Sequence, residues 1–401
     1  LSNKCQRSYH KYSMDTFCSR SWNDYRINLD QGWQMCCKTP WRSIDEEGDW
    51  FNGSEIKERR SAHLEGRRHD DCATCWKLED RGQISHRQLE QKIDPRPTGL
   101  DSIYPGHLDI ELSNICDLAC RYCSARASSV WAERWKNPKY DKASRGTAEQ
   151  RQEKFERFMT WLTARLDKFT GISFSGGEAL LNDELYELLE RLDLQDMKIK
   201  ICTNLNTPPA YMARLHRVLD KLIANRVEVT FRISMDGTGE RNDWQRSGSN
   251  WSVMERNWYE LGARDVRMNV AMTTTPLTLE GMCDAGRWVR DNAQGLFHKP
   301  TWERPGVVLG PAALDPMPWI SSYRDELREM LELVSDTKVT VERPVLLAFD
   351  NWLTLDTGMP SREVTQHMVS WLDEHQKRWG GADWRGLYTK LSGLTYHILS
   401  A

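Results

Sequence analysis

At 401 residues the chain has room for two or three domains and a substantial core. Hydrophobic residues make up 39% and charged residues 28%, ordinary for a globular protein, and no run of about 18 apolar residues marks a membrane span. The net charge of −3 excludes a general attraction to nucleic acid, and eleven cysteines without a secretion signal point to metal or redox use in a reducing, cytoplasmic setting rather than to disulfides.

The first hundred residues or so show many turn signals and little periodicity. Cys18 and Trp22 precede the alternating Tyr25-Arg26-Ile27-Asn28-Leu29. Asp30-Gln31-Gly32 is a turn signal, and Trp33-Gln34-Met35-Cys36-Cys37 follows, so the stretch reads as a β-hairpin with a cysteine at each outer end. Asn52-Gly53-Ser54 then opens a polar helix to Leu64. Next comes Cys72-Ala73-Thr74-Cys75, with Glu79, Gly82, Ser85 and Arg87 behind it. Cys18, one of Cys36 or Cys37, Cys72 and Cys75 supply four thiolates, enough to close a zinc ribbon or an iron–sulfur site. Cys5 lies outside the pattern and reads as a bystander.

Leu108 to Leu112 alternates as a strand and stops at Ser113-Asn114. Cys116-Asp117-Leu118-Ala119-Cys120-Arg121-Tyr122-Cys123 follows directly, a C-x3-C-x2-C spacing with an aromatic before the third cysteine. A short loop after a strand lets three thiolates converge on one face of a cubane cluster and leaves its fourth iron open. Half of a zinc site is the competing reading, but zinc favours paired C-x2-C motifs and there is no fourth ligand nearby.

A helix over Ser124 to Trp135 and another over Thr147 to Leu166 lead to the strand Gly171 to Ser175, which ends in Gly176-Gly177-Glu178. Glycines at a strand end let the backbone approach a ligand, and the glutamate can accept hydrogen bonds from an ammonium group. Helices over Glu184–Leu194, Tyr211–Ala224, Trp251–Leu261 and Gly281–Asp291 alternate with strands over Lys198–Cys202, Val227–Ser234 and Val266–Thr273. That alternation argues an α/β fold with a parallel sheet and ligand groups at its C-terminal strand ends. Arg232, Ser234 and Asp236 share one strand face by alternation. Cys202 and Cys283 sit among apolar neighbours and read as core. Beyond Lys299 several prolines mark a loop-rich segment, followed by a helix over Tyr323–Val334, strand and loop over Val339–Phe349 and a helix over Thr365–Trp379.

The cysteine triplet with Tyr122, together with Gly176-Gly177-Glu178 one helix and one strand later, resembles the radical S-adenosylmethionine (SAM) superfamily. The N-terminal cysteine–hairpin–double-cysteine order, the Gly32-to-Cys37 spacing and the C-x2-C followed by Glu79, Gly82, Ser85 and Arg87 resemble the twitch, or SPASM-like, members. The resemblance runs from about Cys18 to about Asp291. It implies a partial (β/α)6 TIM-like barrel over 106–298, a small N-terminal β-hairpin auxiliary-cluster domain over 1–105 and a mostly helical C-terminal cap over 299–401.

The resemblance also implies a 4Fe–4S cluster on Cys116, Cys120 and Cys123, with SAM chelating the open iron. One auxiliary 4Fe–4S cluster would sit on Cys18, Cys37, Cys72 and Cys75, with Cys36 in reserve. SAM contacts are expected from Tyr122, Gly176, Gly177, Glu178, Thr203, Asn204, Arg232, Ser234, Asp236 and Arg246. The implied activity is reductive cleavage of SAM to a 5′-deoxyadenosyl radical, which takes a hydrogen atom from a small amino-acid-like or nucleoside-like substrate. An electron donor such as flavodoxin or ferredoxin is the implied partner. Peptide modification, hypermodification of a phage-type nucleobase and a non-catalytic zinc- or cluster-binding scaffold are the alternatives. The sequence assigns no catalytic side chain.

Overall fold

A computed structural model describes residues 16–42, 52–82, 85–89, 97–102, 106–136, 146–308 and 311–401. Cys5 lies outside the described residues, as does part of the polar stretch from Lys139 to Gln150. The chain divides into two units, Leu1–Glu111 with Gln152–Ser173, and Leu112–Arg151 with Phe174–Ala401.

The first unit is built on the expected hairpin. Strand β1 (Asp24–Asn28) pairs antiparallel with β2 (Gly32–Gln34), with Ile27 opposite Trp33 and Asn28 opposite Gly32. Gly32 has φ +114°, a conformation that favours glycine and closes the turn. Helices α1 (Ser54–Leu64) and α2 (Ala73–Glu79) follow. Strand β3 (Gly106–Glu111) runs parallel to β1, so Tyr25 and Ile27 bury beside Leu108 and Ile110. The stretch 152–173 carries most of α3 (Ala148–Thr163) and β4 (Phe169–Ser175). In α3, Phe155, Phe158, Met159 and Leu162 form the buried stripe that their helical spacing predicts.

The second unit alternates strand and helix. Helix α4 (Asp183–Arg191) leads to β5 (Lys198–Thr203), α5 (Pro209–Ala224), β6 (Glu228–Ser234), α6 (Trp251–Gly262), β7 (Arg267–Ala271) and α7 (Pro276–Asp291). Short β8 (Thr301–Trp302), helix α8 (Arg324–Val334) and short β9 (Thr340–Val341) complete the sheet, in the order β9-β8-β7-β6-β5. Every pairing in this set is parallel. Helices α9 (Arg343–Thr354), α10 (Arg362–Trp379) and α11 (Thr389–Ser400) form the helical tail.

Burial alternates along β5 and β6. Ile199, Ile201 and Thr203, and Val229, Phe231 and Ile233, are buried. Lys200 and Cys202, and Thr230, Arg232 and Ser234, are half-buried on the opposite face. Cys283 is core, as expected, but Cys202 is not: the pleat turns it to the more open face. The strand expected over Val339–Phe349 shrinks to two residues. Pro344 sits at the start of α9, whose Val345, Leu347, Ala348, Phe349 and Trp352 bury at helical rather than alternating positions. No helix among the described residues is long and apolar enough to cross a membrane.

Candidate functional site

The cysteine loop is fixed by hydrogen bonds at both ends and in the middle. Ser128 caps the short helix Ser129–Arg134 and donates from Oγ to the Leu118 carbonyl at 2.6 Å. Trp131 Nε1 donates to the Cys120 carbonyl at 2.7 Å, and the Ser129 backbone N–H to the Asn114 carbonyl at 2.7 Å. Ala119-Cys120 forms a two-residue antiparallel ribbon with Arg246-Ser247. The Leu118 N–H donates to Cys116 Sγ at 3.4 Å, a contact that favours a thiolate there.

Cys120 lies within electrostatic reach of Cys116 and Cys123, and Arg246 within reach of Cys120 and Cys123. Burial pushes all three thiols up, Cys120 to about 12. Without a bound cation or cluster these sulfurs stay protonated; a metal that deprotonates them removes the penalty.

The glycine turn presses on this loop. Gly177 has φ +52°, and a Cβ there would stand 2.2 Å from the Ile115 carbonyl oxygen, so only glycine fits. The Glu178 N–H donates to that same oxygen at 2.6 Å. The Glu178 carboxylate is buried and accepts from the Leu180 N–H at 3.1 Å and from the Asn204 N–H at 2.7 Å. Burial and then the Asp117 charge raise its pKa to about 7, against the hydrogen bonds from Asn204, Thr203 and Leu180. Asp117 accepts from Asn204 Nδ2 at 2.8 Å and Asn206 Nδ2 at 2.7 Å. The structure thus brings Gly176, Gly177, Glu178, Thr203 and Asn204 together against the cysteine loop. It adds Asp117 and Asn206, which sequence reading missed although Asp117 stands between two of the cysteines.

A second group closes round Asp236, which is fully buried. Its carboxylate accepts from the Tyr122 hydroxyl, from Arg246 Nη1 at 2.6 Å and from the Thr273 N–H at 2.7 Å. Arg246 Nη1 also reaches the Tyr122 oxygen at 2.5 Å. Asp236 and Arg246, expected as separate ligand contacts, therefore hold each other and Tyr122. Arg246 Nε is buried without a hydrogen-bond partner among the described residues, one donor left for a ligand. Ser234 is half-buried at the end of the same strand face. Arg232 stands lower on that face, where its Nε donates to Glu303 at 2.6 Å. Glu303 follows β8 in the proline-rich stretch, where no sequence signal announces it.

In the first unit, Cys18, Cys72 and Cys75 are buried, Cys36 is half-buried and Cys37 is exposed. Cys36 is within electrostatic reach of Cys18, Cys72 and Cys75. Cys37 Sγ faces His86 Nε2 at 3.8 Å. A tight turn sets this difference: the Cys36 carbonyl accepts from Gln34 Nε2 at 2.9 Å and from the Thr39 N–H at 3.0 Å. Burial pushes Cys72 up to about 12 and Cys36 to about 11, neighbouring thiols adding to it. Glu79 takes a two-pronged hydrogen bond from Arg87, at 3.0 and 2.6 Å, and accepts from Ser85 Oγ. Arg87 Nη1 then donates to the Phe17 carbonyl at 2.8 Å, which ties the Cys72–Cys75 segment to the residue before Cys18.

Among the described residues, no three His, Cys, Asp or Glu side chains are gathered tightly enough to share a single metal ion. Zinc would hold each sulfur at about 2.3 Å. A cubane is larger than an ion and spreads its thiolates further apart. The two cysteine groups, with a thiolate-stabilising N–H and a nearby guanidinium at the loop, fit clusters in their donor chemistry.

The radical SAM superfamily model matches residues 110–286. No curated protein matches the chain. Among solved structures, SuiB of Streptococcus suis bound to S-adenosylmethionine is similar at 13% identity over 79% of this chain and 70% of that one, with a TM-score of 0.39. SuiB bound to the precursor peptide SuiA is similar at 13% identity over 81% and 73%, with a TM-score of 0.40. The family match spans the cysteine loop, the glycine turn and the strand ends described above. The chain therefore carries a radical SAM superfamily domain, and it is an enzyme.

Proposed function

We propose that Cys116, Cys120 and Cys123 hold a 4Fe–4S cluster on which SAM is reductively cleaved, and that the enzyme acts on a small amino-acid-like or nucleoside-like substrate. When bound, the cluster and SAM together supply one-electron cleavage of a carbon–sulfur bond and abstraction of a hydrogen atom. The protein's own residues orient and shield. Gly176 and Gly177 let the backbone lie against the cofactor. Glu178 receives its ammonium group, and Thr203 and Asn204 fix Glu178. Ser234 and the free Nε of Arg246 serve the ribose and carboxylate, while Asp236 and Tyr122 hold Arg246 in place. The surrounding fold is a partial (β/α)6 barrel over 106–298, flanked by a twitch-like domain over 1–105 and a cap over 299–401. A reducing cytoplasm and a flavodoxin- or ferredoxin-like donor suit this chemistry.

For the auxiliary cluster we propose Cys18, Cys36, Cys72 and Cys75. We place Cys36 ahead of Cys37 in this set because it is within electrostatic reach of Cys18, Cys72 and Cys75, whereas Cys37, exposed beside His86, is within such reach of only Cys36 and Cys75 among the described cysteines.

The observation that carries the reading is the cysteine loop closed by Gly177 and Glu178 against Ile115. The test is electron paramagnetic resonance of the anaerobically reconstituted, dithionite-reduced chain before and after SAM is added. A signal that shifts on SAM addition, in protein holding roughly eight irons per chain, is expected. An iron-loaded chain whose signal ignores SAM would contradict the proposal.

A further inference from the structure

The half-buried face of the parallel sheet carries charge below the strand ends. Lys200 stands on β5, Arg232 on β6 and Asn269 on β7, with Glu303 just after β8. The strand registers place Cys202, Arg232, Asn269 and Thr301 in one row across four strands. Ser234 lies two residues further along β6, about 7 Å toward the strand end.

Glu303 gathers the group. It accepts from Asn269 Nδ2 at 2.8 Å and Arg232 Nε at 2.6 Å, and it pairs with Lys200 Nζ. Burial works against the Glu303 charge, but Lys200 and Arg232 together hold its pKa below the usual carboxylate range. Two cations thus share one carboxylate, and the set is one positive charge in excess. Exposure sorts the charges: the side chains of Lys200 and Arg232 keep 32% and 34% of their surface open, and that of Glu303 only 8%. What the open face presents is the cationic side, with the acid behind it. Arg232 turns Nε to Glu303 and has Cys202, beside it in the row, as a further hydrogen-bond partner; the guanidinium N–H groups outside these two contacts are what the face offers to a carboxylate.

Partly buried charges on a sheet face are costly, and packing alone is served as well by apolar residues. A cationic face one row below a ligand-binding strand end is suited to a second ligand rather than to the first. We infer that this face docks an anionic group of the substrate, a carboxylate in particular, with Arg232 as its main contact and Lys200 beside it. Arg232 then belongs with the substrate and not with SAM. The inference rests on the reading of the strand ends as the SAM site.

The experiment measures the rate at which phenylglyoxal modifies Arg232, read by peptide mass spectrometry on the full reconstituted chain. Rates are compared for the protein alone, with SAM, and with SAM plus a pool of carboxylates (the free L-amino acids and benzoate) or the matching carboxamides. SAM alone should leave the rate unchanged. A bound carboxylate at about four times its Kd should slow it about fivefold, and the carboxamides should not. Slowing by SAM alone would overturn the inference while leaving the proposed function standing. Equal protection by acids and amides, or protection by neither, would overturn it as well. Equilibrium dialysis of labelled SAM in the same samples separates the two failures: a chain that binds no SAM sinks both readings.

Discussion

At the scale of single residues the site depends on close approach and on a buried carboxylate. Gly177→Ala puts a methyl carbon into the Ile115 carbonyl, which cannot swing aside as a side chain would. With the positive φ added, it should cost on the order of 3 kcal/mol and lower SAM affinity more than iron content; unchanged urea midpoint and SAM affinity would show that the turn has room. Glu178 titrates near 7 because burial and Asp117 raise it. Its ionised form attracts an ammonium group, so that attraction is present above pH 7 and fades as pH falls through it. SAM binding by equilibrium dialysis should therefore weaken up to about tenfold per pH unit below 7, and Glu178→Gln should bind weakly with a flat profile. A wild-type profile as flat as the variant's would exclude Glu178 as the ammonium partner. The cysteine loop and the Gly176-Gly177-Glu178 turn that packs on it stand out in the sequence because each is a local pattern, and the roles proposed for Cys116, Cys120, Cys123 and Glu178 start from those patterns. Glu303 does not stand out, since its partners Lys200, Arg232 and Asn269 come from three other strands and meet only through the sheet register.

At the scale of elements, the hairpin separates two candidate ligands that spacing alone ranks the other way. Counting from Gly32 favoured Cys37, whereas the Gln34 and Thr39 hydrogen bonds set the turn so that Cys36 stands among the thiols. Cys36→Ser should remove roughly four irons per reconstituted chain and Cys37→Ser none; iron counting that reverses the two would restore the sequence-based choice. Helix α10 carries a different device. His375 is buried, and burial followed by Arg121 and Arg378 lowers its pKa to about 3. A histidine depressed below its unfolded value near 6.5 supports the fold above that pH and withdraws support as pH falls toward 3. Between pH 7.5 and 4.5 the wild type should lose about 2 kcal/mol through this group, a loss His375→Phe would lack; urea melts with the same pH dependence in both chains would refute it. The start of helix α9 fell in the stretch read as strand and loop because Val345, Leu347 and Phe349 alternate as well as they recur helically, and a short apolar run does not decide between the periods.

At the scale of the molecule, the strand–helix alternation after Phe169 was readable because each α/β repeat carries its own amphipathic pattern and needs no distant partner to declare itself. The division into units was not. The segment Gln152–Ser173 groups with the N-terminal residues although it follows the cysteine loop in sequence, and contacts between distant segments leave no local pattern. The other proposed roles depend on the proposed cleavage of SAM at the loop cysteines. The most direct measurement is 5′-deoxyadenosine formed by anaerobically reconstituted protein with SAM and dithionite, compared with a chain carrying Cys116→Ala, Cys120→Ala and Cys123→Ala. The account predicts product from the native chain and none above background from the variant. Equal product from both would contradict it.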